Sequence, residues 1–513
     1  MEQYELFYKW VPAYIRYPAL LLLFFVALTA NGVFLGNTTE TFSTLGVYTE
    51  PYIAAYNAMY LGMGVGLMVH SRLKLRFTGK SLLLFGLVMM LFMNIVCATT
   101  HNPTLTIVAC LILGFTKISA YTEIYVTWIK VWTNKFDISR VYPFVYVSAL
   151  GGSYFMTWLT TKLAYHYDYK YSYIWVILLI LLCLLITVVF VEYHSLKKRI
   201  QLYQIDWIGA ALLIITLLLF NYVVVYGKVE NWLESKYIVG ASFLCLIMLM
   251  LFIKREISFK RPVFPLELFR LPNFRMGILY FLLMNVFIPT TFQSAFGTSV
   301  LHFEAYRNTE INLFLIPGII TGSALCYYWY YHHYDEQLII LIGFIAILTY
   351  HIIMYESFGS SFTINDFWLP SVIKGFALAL LYISVGLYIT SHQKMQVVLT
   401  VPGIAILARS FLGSGAFTAI FTYLLYSQRI RHLEYLGSMS DSNNYLQKDQ
   451  GSSADFYNHM QLQATLNASK ELSGYIIIAG IVIVFILLIR YVYHKVNDVD
   501  VTSTVVLKQT HYK

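Results

Sequence analysis

Charge is scarce in this chain: Asp, Glu, Lys and Arg make up only 12% of its 513 residues, against roughly 25% in an average soluble domain. That scarcity excludes a water-facing surface over most of the molecule. Cysteine is rarer still, and Cys97, Cys110, Cys183, Cys245 and Cys326 all fall inside apolar runs. They form no metal-type CxxC pair and no disulfide-like spacing, so they are read as small apolar fillers. HExxH, GxSxG and P-loop patterns are missing too, which leaves a membrane-embedded enzyme without a recognisable catalytic motif.

What is present is apolar and aromatic. Hydrophobic residues make up 58% of the chain and aromatics 17%, with 43 Tyr and 36 Phe. Apolar runs near twenty residues recur along the whole length, and each can cross a hydrocarbon core of about 30 Å as a helix. Lipid offers peptide groups no partner, so each run must satisfy its own backbone. Helices are expected at about 18–38, 51–70, 81–99, 104–128, 141–164 and 172–194, then at about 206–226, 236–253, 275–300, 309–331, 337–355, 367–391, 397–425 and 474–494. The fold expected is an all-α polytopic membrane protein with fourteen transmembrane helices. The first run, beginning near Pro18, lacks a small-residue cleavage site and reads as a retained helix.

The formal charge of +9 follows from topology rather than from nucleic acid. Its cations sit in alternate short loops: Arg72, Lys74, Arg76 and Lys80; Lys135 and Arg140; Lys197, Lys198 and Arg199; Lys254, Arg255, Lys260 and Arg261. The positive-inside rule makes these loops cytoplasmic, with both termini inside a multi-pass cell-membrane protein. Ser427 to Glu471 reads as a polar extracytoplasmic loop containing a helix that starts near Ser452, with Asp455 as capping partner. The polar tail after Asn497 is expected to be mobile.

Several segments resemble the major facilitator superfamily, specifically its fourteen-span drug:proton antiporter branch (EmrB/QacA-like), over nearly the whole chain. The most specific runs from Pro265 to Gly277 (PLELFRLPNFRMG) and is similar to the linker PLxLxLFRxxxFRxG before the ninth span. Asp206-Trp-Ile-Gly209, Leu315-Ile-Pro317, Lys374-Gly375, and Arg409 with Gly413 and Gly415 also fall where that branch has like residues. Its motif A is half kept: Arg76 and Lys80 match, but Leu75 replaces the aspartate, and Ser71 and Thr78 replace two glycines. Cys110 stands at the motif B arginine, Gly152-Ser153 at the GP of motif C, and Asn31 at a first-span aspartate. The resemblance implies two six-helix bundles, 1–194 and 261–496, with two intervening helices in 195–260, an extracytoplasmic loop at 427–471 and a cytoplasmic tail at 497–513. It also implies a substrate site at the bundle interface near the midplane. Energy would come from a proton gradient, with no cofactor or metal. In a two-membrane envelope, where the chain would lie in the inner membrane, it implies a periplasmic HlyD-type adaptor as partner.

An ionisable residue deep in a span needs a partner, a wet cavity or a function, since a central charge costs from about 3 kcal/mol upward. Thr116, Ser119, Glu123 and Thr127 are spaced to share one helix face, and that face is expected to line a cavity. Glu123 is then either a proton-coupling group or a carboxylate that pairs with a lysine and locks helices together. Lys117 lies on another face of the same span, either as the span's lost cation, as an anion-binding group, or paired to another helix. Glu40, beyond Gly32 and Gly36 in the first span, is a second coupling candidate. Asn31, Tyr56, Asn57, Asn285, Gln293, Lys374 and Arg409 are further cavity candidates, the last two standing between substrate contact and a structural hydrogen bond. Tyrosine rings suit amphipathic ligands and organic cations. Three functions follow: proton-coupled efflux of amphipathic, drug-like molecules, a transport-incompetent sensor or scaffold, and, with less support, a polytopic membrane enzyme.

Overall fold

The computed structural model describes residues 6–34, 49–74, 76–132, 138–193, 205–259, 261–289, 291–359, 362–391, 400–439 and 453–510. Glu40 lies outside them. Among the described residues the chain is helical apart from a single antiparallel bridge between Phe7 and Val191. The first part comprises α1 (Ala13–Thr29), α2 (Glu50–Leu73), α3 (Gly79–Thr99), α4 (Pro103–Trp132), α5 (Ile138–Tyr146), α6 (Gly152–His166) and α7 (Tyr169–Phe190). Next come α8 (Trp207–Tyr226) and α9 (Lys236–Ser258), which pack on each other. The rest is α10 (Pro272–Met284), α11 (Thr291–Ala295), α12 (Ala305–Glu310), α13 (Leu315–Tyr331), α14 (Glu336–Ser357), α15 (Trp368–Thr390), α16 (Val401–Ile406), α17 (Thr418–Met439) and α18 (Ser453–Thr510). Among the described residues, eleven helical stretches are long and apolar enough to cross a membrane, and α1 is a shorter apolar helix.

The apolar interior divides in two. One core is built from residues between Leu6 and Val191, the other mainly from residues between Ile205 and Leu487. Each contains a helix pair brought together by glycine. A Cβ on Gly62 of α2 would lie 2.1 Å from the Leu111 carbonyl oxygen of α4, and one on Gly114 would lie 2.0 Å from that of Met59. In the second core the same crossing recurs between α13 and α15, where a Cβ on Gly318 would run into the Val372 carbonyl oxygen and one on Gly375 into that of Leu315. Gly66 against Phe115 and Gly322 against Phe376 extend the likeness by one turn in each pair. Close backbone approach of this kind is how helices associate in lipid, where apolar burial alone gives no drive.

The linker that joins the cores is tied down by ions. Asp206 caps α8 by accepting from the Gly209 N–H and also receives Arg255 at 3.0 Å, so the start of α8 is bound to the end of α9. Arg72 donates to the Pro262 carbonyl at 3.1 Å, and Glu256 accepts from the Phe264 N–H at 3.1 Å. In the Pro265–Gly277 motif, Leu268 and Phe274 are buried, Pro272 starts α10 where no N–H is needed, and Gly277 admits Ile389.

Three expectations need correction. The first helix spans Ala13–Thr29 rather than 18–38, because the chain turns extended at Ala30 and runs past Cys97 and Cys110 at Gly32. The stretch expected as one helix over 275–300 is interrupted after Met284. The polar loop expected at 427–471 is largely helical: α17 continues to Met439 and α18 begins at Ser453. The two are joined side by side by Arg429 to Gln461 at 2.9 Å and His432 to Glu471 at 2.8 Å. Its charges mark the solvated faces of a helical hairpin, which resembles a loop in composition but not in backbone. The same helix carries on through the expected tail to Thr510.

Gly114→Val should lower the unfolding midpoint of the detergent-solubilised protein by an amount equivalent to at least about 1–3 kcal/mol of overpacking. Gly240→Val should leave the midpoint unmoved, since a Cβ there meets nothing within 4 Å.

Candidate functional site

Tyrosines from both parts of the chain converge on Arg409. The residue sits in an 11-residue π-helical stretch, Leu407–Phe417, between α16 and α17. Its guanidinium donates to the Tyr146 hydroxyl and lies 5.3 Å from the Tyr146 ring centre and 5.1 Å from that of Tyr382. Tyr146 itself abuts a second π-helical stretch, Val147–Gly151, between α5 and α6. Wide turns of this type recur at functional sites because they redirect side chains without ending the helix. Tyr146, Tyr382 and Arg409 each stand eight residues in from a helix end on one face, at Ile138, Thr390 and Val401. At about 1.5 Å per residue that is roughly 12 Å, close to the middle of a bilayer core.

Around this centre, Tyr56 and Tyr60 of α2 share a hydrogen bond at 3.0 Å, and Tyr121 and Tyr125 of α4 stack at 5.7 Å. Tyr154 of α6 is within electrostatic reach of Tyr60 of α2 and Tyr382 of α15. Tyr60, Tyr121, Tyr382 and Arg409 are enclosed by protein, yet each keeps partial accessibility. We read the space that these partly accessible residues border as an internal chamber between the two parts.

Two more cations lie in the spans. Lys117 donates to the Asn31 amide oxygen at 2.6 Å, and Lys374 lies 4.8 Å from the Tyr350 ring centre. The Tyr350 hydroxyl donates to Gln293 at 2.6 Å, and beside it His351 donates to the Phe287 carbonyl at 3.1 Å. Asn31 follows the end of α1 and Asn285 the end of α10, the first helix of each half. Asn285 donates to the carbonyl of Ala408, next to Arg409, at 3.1 Å. Both interrupted helices thus set a cation-bearing segment, as polar groups at helix breaks do where they line a cavity. Asn57 donates to Asn221 at 2.9 Å, and Asn221 donates in turn to the Ala54 carbonyl at 3.0 Å, which fastens α8 to α2.

Glu123 is elsewhere. It is fully buried near the end of α4, with Lys74 at 3.2 Å and His70 at 3.4 Å, and His70 also bonds the Thr122 hydroxyl. The lysine pair is present and is made across two helices, so any coupling at this carboxylate has to act through that pair. The face expected to line a cavity is packed instead. Thr116 and Thr127 bond carbonyls of their own helix, Ser119 is buried, and Gly86 of α3 presses on Ala120 and the Thr116 oxygen. Shared helical spacing put these hydroxyls on one face correctly, but a close helix crossing covers that face. Of the motif A remnant, Arg76 is exposed, while Lys80 is buried and donates to the Val188 carbonyl at 3.0 Å, near the end of α7.

Sequence reasoning named Tyr60 beside Tyr56 and Asn57 in the second span but missed Tyr142, Tyr146, Tyr154 and Tyr382 as individuals. The available signal was their position in spans that also carry Gly152 or Lys374, since 43 tyrosines give no contrast by composition alone. His70 and Asn221 were missed as partners because each bonds to a residue more than 50 positions away.

Glu123→Ala should cost about 3–5 kcal/mol of stability, because it leaves Lys74 without its counter-ion in a buried pair. Lys74→Ala should cost less, with His70 retained, and the double variant should cost less than the sum of the singles. Unfolding midpoints of the four proteins would measure this coupling.

No family model and no curated protein matches this chain by sequence. Solved structures do match it in fold. A mutant of the nucleoside transporter NupG is 11% identical, with a TM-score of 0.57 over 92% of this chain and 99% of its own. A structure described as giving insights into substrate recognition in proton dependent oligopeptide transporters is 12% identical, with a TM-score of 0.58 over 92% and 96%. The human organic anion transporter MFSD10 is 13% identical, with a TM-score of 0.50 over 92% and 100%. At such identities the likeness is one of fold. This chain is a multi-pass membrane protein with the fold of these solved transporters.

Proposed function

We propose that this protein is a proton-coupled secondary transporter that exports amphipathic, drug-like small molecules by alternating access. The observation that carries the reading is the enclosed tyrosine chamber at Arg409, whose walls come from both parts of the chain. In this reading the chain crosses the membrane fourteen times, in the antiporter branch that the linker motif resembles, with both termini cytoplasmic. Residues 1–194 and 261–496 form two six-helix bundles, 195–260 the two helices between them, and 497–513 a cytoplasmic tail. The helical hairpin within 427–471 projects on the outer side, where a HlyD-type adaptor would dock in a two-membrane envelope.

Alternating access requires the bundles to part on one face at a time. At the face of the basic loops, Tyr142 packs on Gly386 of α15, and the Arg140 guanidinium lies 5.0 Å from the Tyr331 ring centre. On the opposite face, Tyr165 and His166 meet Tyr306 at 4.9 and 5.8 Å. These aromatic seams are small enough to break and reform as the bundles rock, and the two π-helical stretches beside Tyr146 and Arg409 are natural points of bending. Coupling is assigned to Glu123: protonating it removes the charge that holds Lys74 and His70, and so loosens α2 from α4 at the face where the chamber must open. Glu40 stays the second candidate.

The test is efflux of amphipathic fluorescent compounds from proteoliposomes under an imposed pH gradient. The parent should pump only with the gradient, and Glu123→Gln should lose the gradient dependence while still eluting as a folded protein. A parent that never pumps contradicts the transport reading. Normal pumping by the variant takes the coupling role from Glu123.

A further inference from the structure

The charges buried in the chamber and beside it have one sign. Lys117 and Lys374 are 2% and 4% exposed, and Arg409 lies at the centre of the tyrosine cluster. None of the three is within ion-pair distance of a carboxylate among the described residues. Glu123 is taken by Lys74 and His70, and Asp206 by Arg255. What surrounds Arg409 instead is neutral: the Tyr146 hydroxyl accepts one of its N–H groups, and two ring faces lie against it. Its Nε is buried and has no hydrogen-bond partner. An unsatisfied donor on a buried cation is rare unless something is to be bound there.

We propose that the substrate is an organic anion, a planar aromatic body carrying a carboxylate or sulfonate, whose acid group docks on the guanidinium of Arg409. This assignment rests on the transport reading. A guanidinium presents paired N–H donors that match the two oxygens of a carboxylate or sulfonate. The Nε–H of Arg409 is covered by protein and has no partner to give up, while the residue itself stays partly accessible. The neighbouring rings of Tyr382 and Tyr60 offer stacking faces to the aromatic body, and their hydroxyls can donate to its acid. Lys117 and Lys374 stand farther from the basic-loop face than Arg409 does, about midway along α4 and in the first part of α15, and keep the potential positive in that direction. An organic cation would suit the ring faces alone but would enter against the guanidinium of Arg409, which stays charged, and that is the stronger term where water is excluded. The tyrosines, read by themselves, point to cations; the charges they surround reverse that preference.

Fluorescein and rhodamine 6G share a xanthene ring system and carry opposite charge at neutral pH. Transport of each in proteoliposomes holding the full-length protein under a pH gradient separates the possibilities. Fluorescein should be moved at least tenfold faster than rhodamine 6G. Arg409→Gln should reduce fluorescein transport at least tenfold, Arg409→Lys should keep a measurable part of it, and Lys374→Gln should raise the fluorescein KM severalfold. Elution as a monodisperse species checks the fold of each variant; if Arg409→Gln fails it, Arg409→Lys and Lys374→Gln carry the test. Movement of rhodamine 6G without fluorescein overturns the anion assignment and leaves the transport reading standing. Unchanged fluorescein transport in the Arg409 and Lys374 variants overturns the assigned site. Movement of neither dye overturns both the assignment and the reading beneath it.

Discussion

Helices in lipid gain little from burying apolar side chains, so this fold depends on how closely backbones can approach. The crossing of α2 with α4 and its counterpart between α13 and α15 have no room for a Cβ at Gly62, Gly114, Gly318 or Gly375. These two crossings fix the geometry of their respective cores. They also place α4 and α15 side-on to the interior, so that Lys117 and Lys374, three residues after Gly114 and one before Gly375, are carried into the protein rather than into lipid.

Once the helices are set, the polar groups inside them must be satisfied locally, and the chain does this in two ways. At the ends of spans it uses ion pairs: Glu123 with Lys74 and His70, and Asp206 with Arg255. In the interior it uses amides and tyrosines: Asn31 for Lys117, Tyr350 for Lys374, and Tyr146 and Tyr382 for Arg409. Ion pairs with charged partners hold helices together, whereas a cation supported by neutral groups stays available to a ligand. That difference separates the clasp from the chamber.

The fold was largely legible because hydrophobic length is a strong signal: every apolar run read from the sequence falls on helix in the structure, with shifted ends. Breaks within a run were not legible. Met284 and Asn285 differ little in local pattern from a continuing helix, and Thr29 ends α1 inside an apolar stretch. In the polar segment the helix expected near Ser452 is there as the start of α18, but the continuation of α17 to Met439 was hidden, since charged helices in water look like loops by hydropathy. At the site, Lys117, Lys374, Arg409, Asn31, Asn285 and Gln293 were visible as polar residues in apolar surroundings, and all six bear on the interior. Glu123 was equally visible, but its partners come from another helix, and no single-helix pattern could choose between cavity and clasp.

The central claim is that the chamber around Arg409 opens to each side of the membrane in turn. It is tested most directly by replacing the five native cysteines, introducing Tyr382→Cys, and labelling with a membrane-impermeant thiol reagent from each side separately. The account predicts labelling from both sides, with the balance between them shifted by reversing the pH gradient. Labelling confined to one side under every gradient, with the variant still transporting, would contradict it.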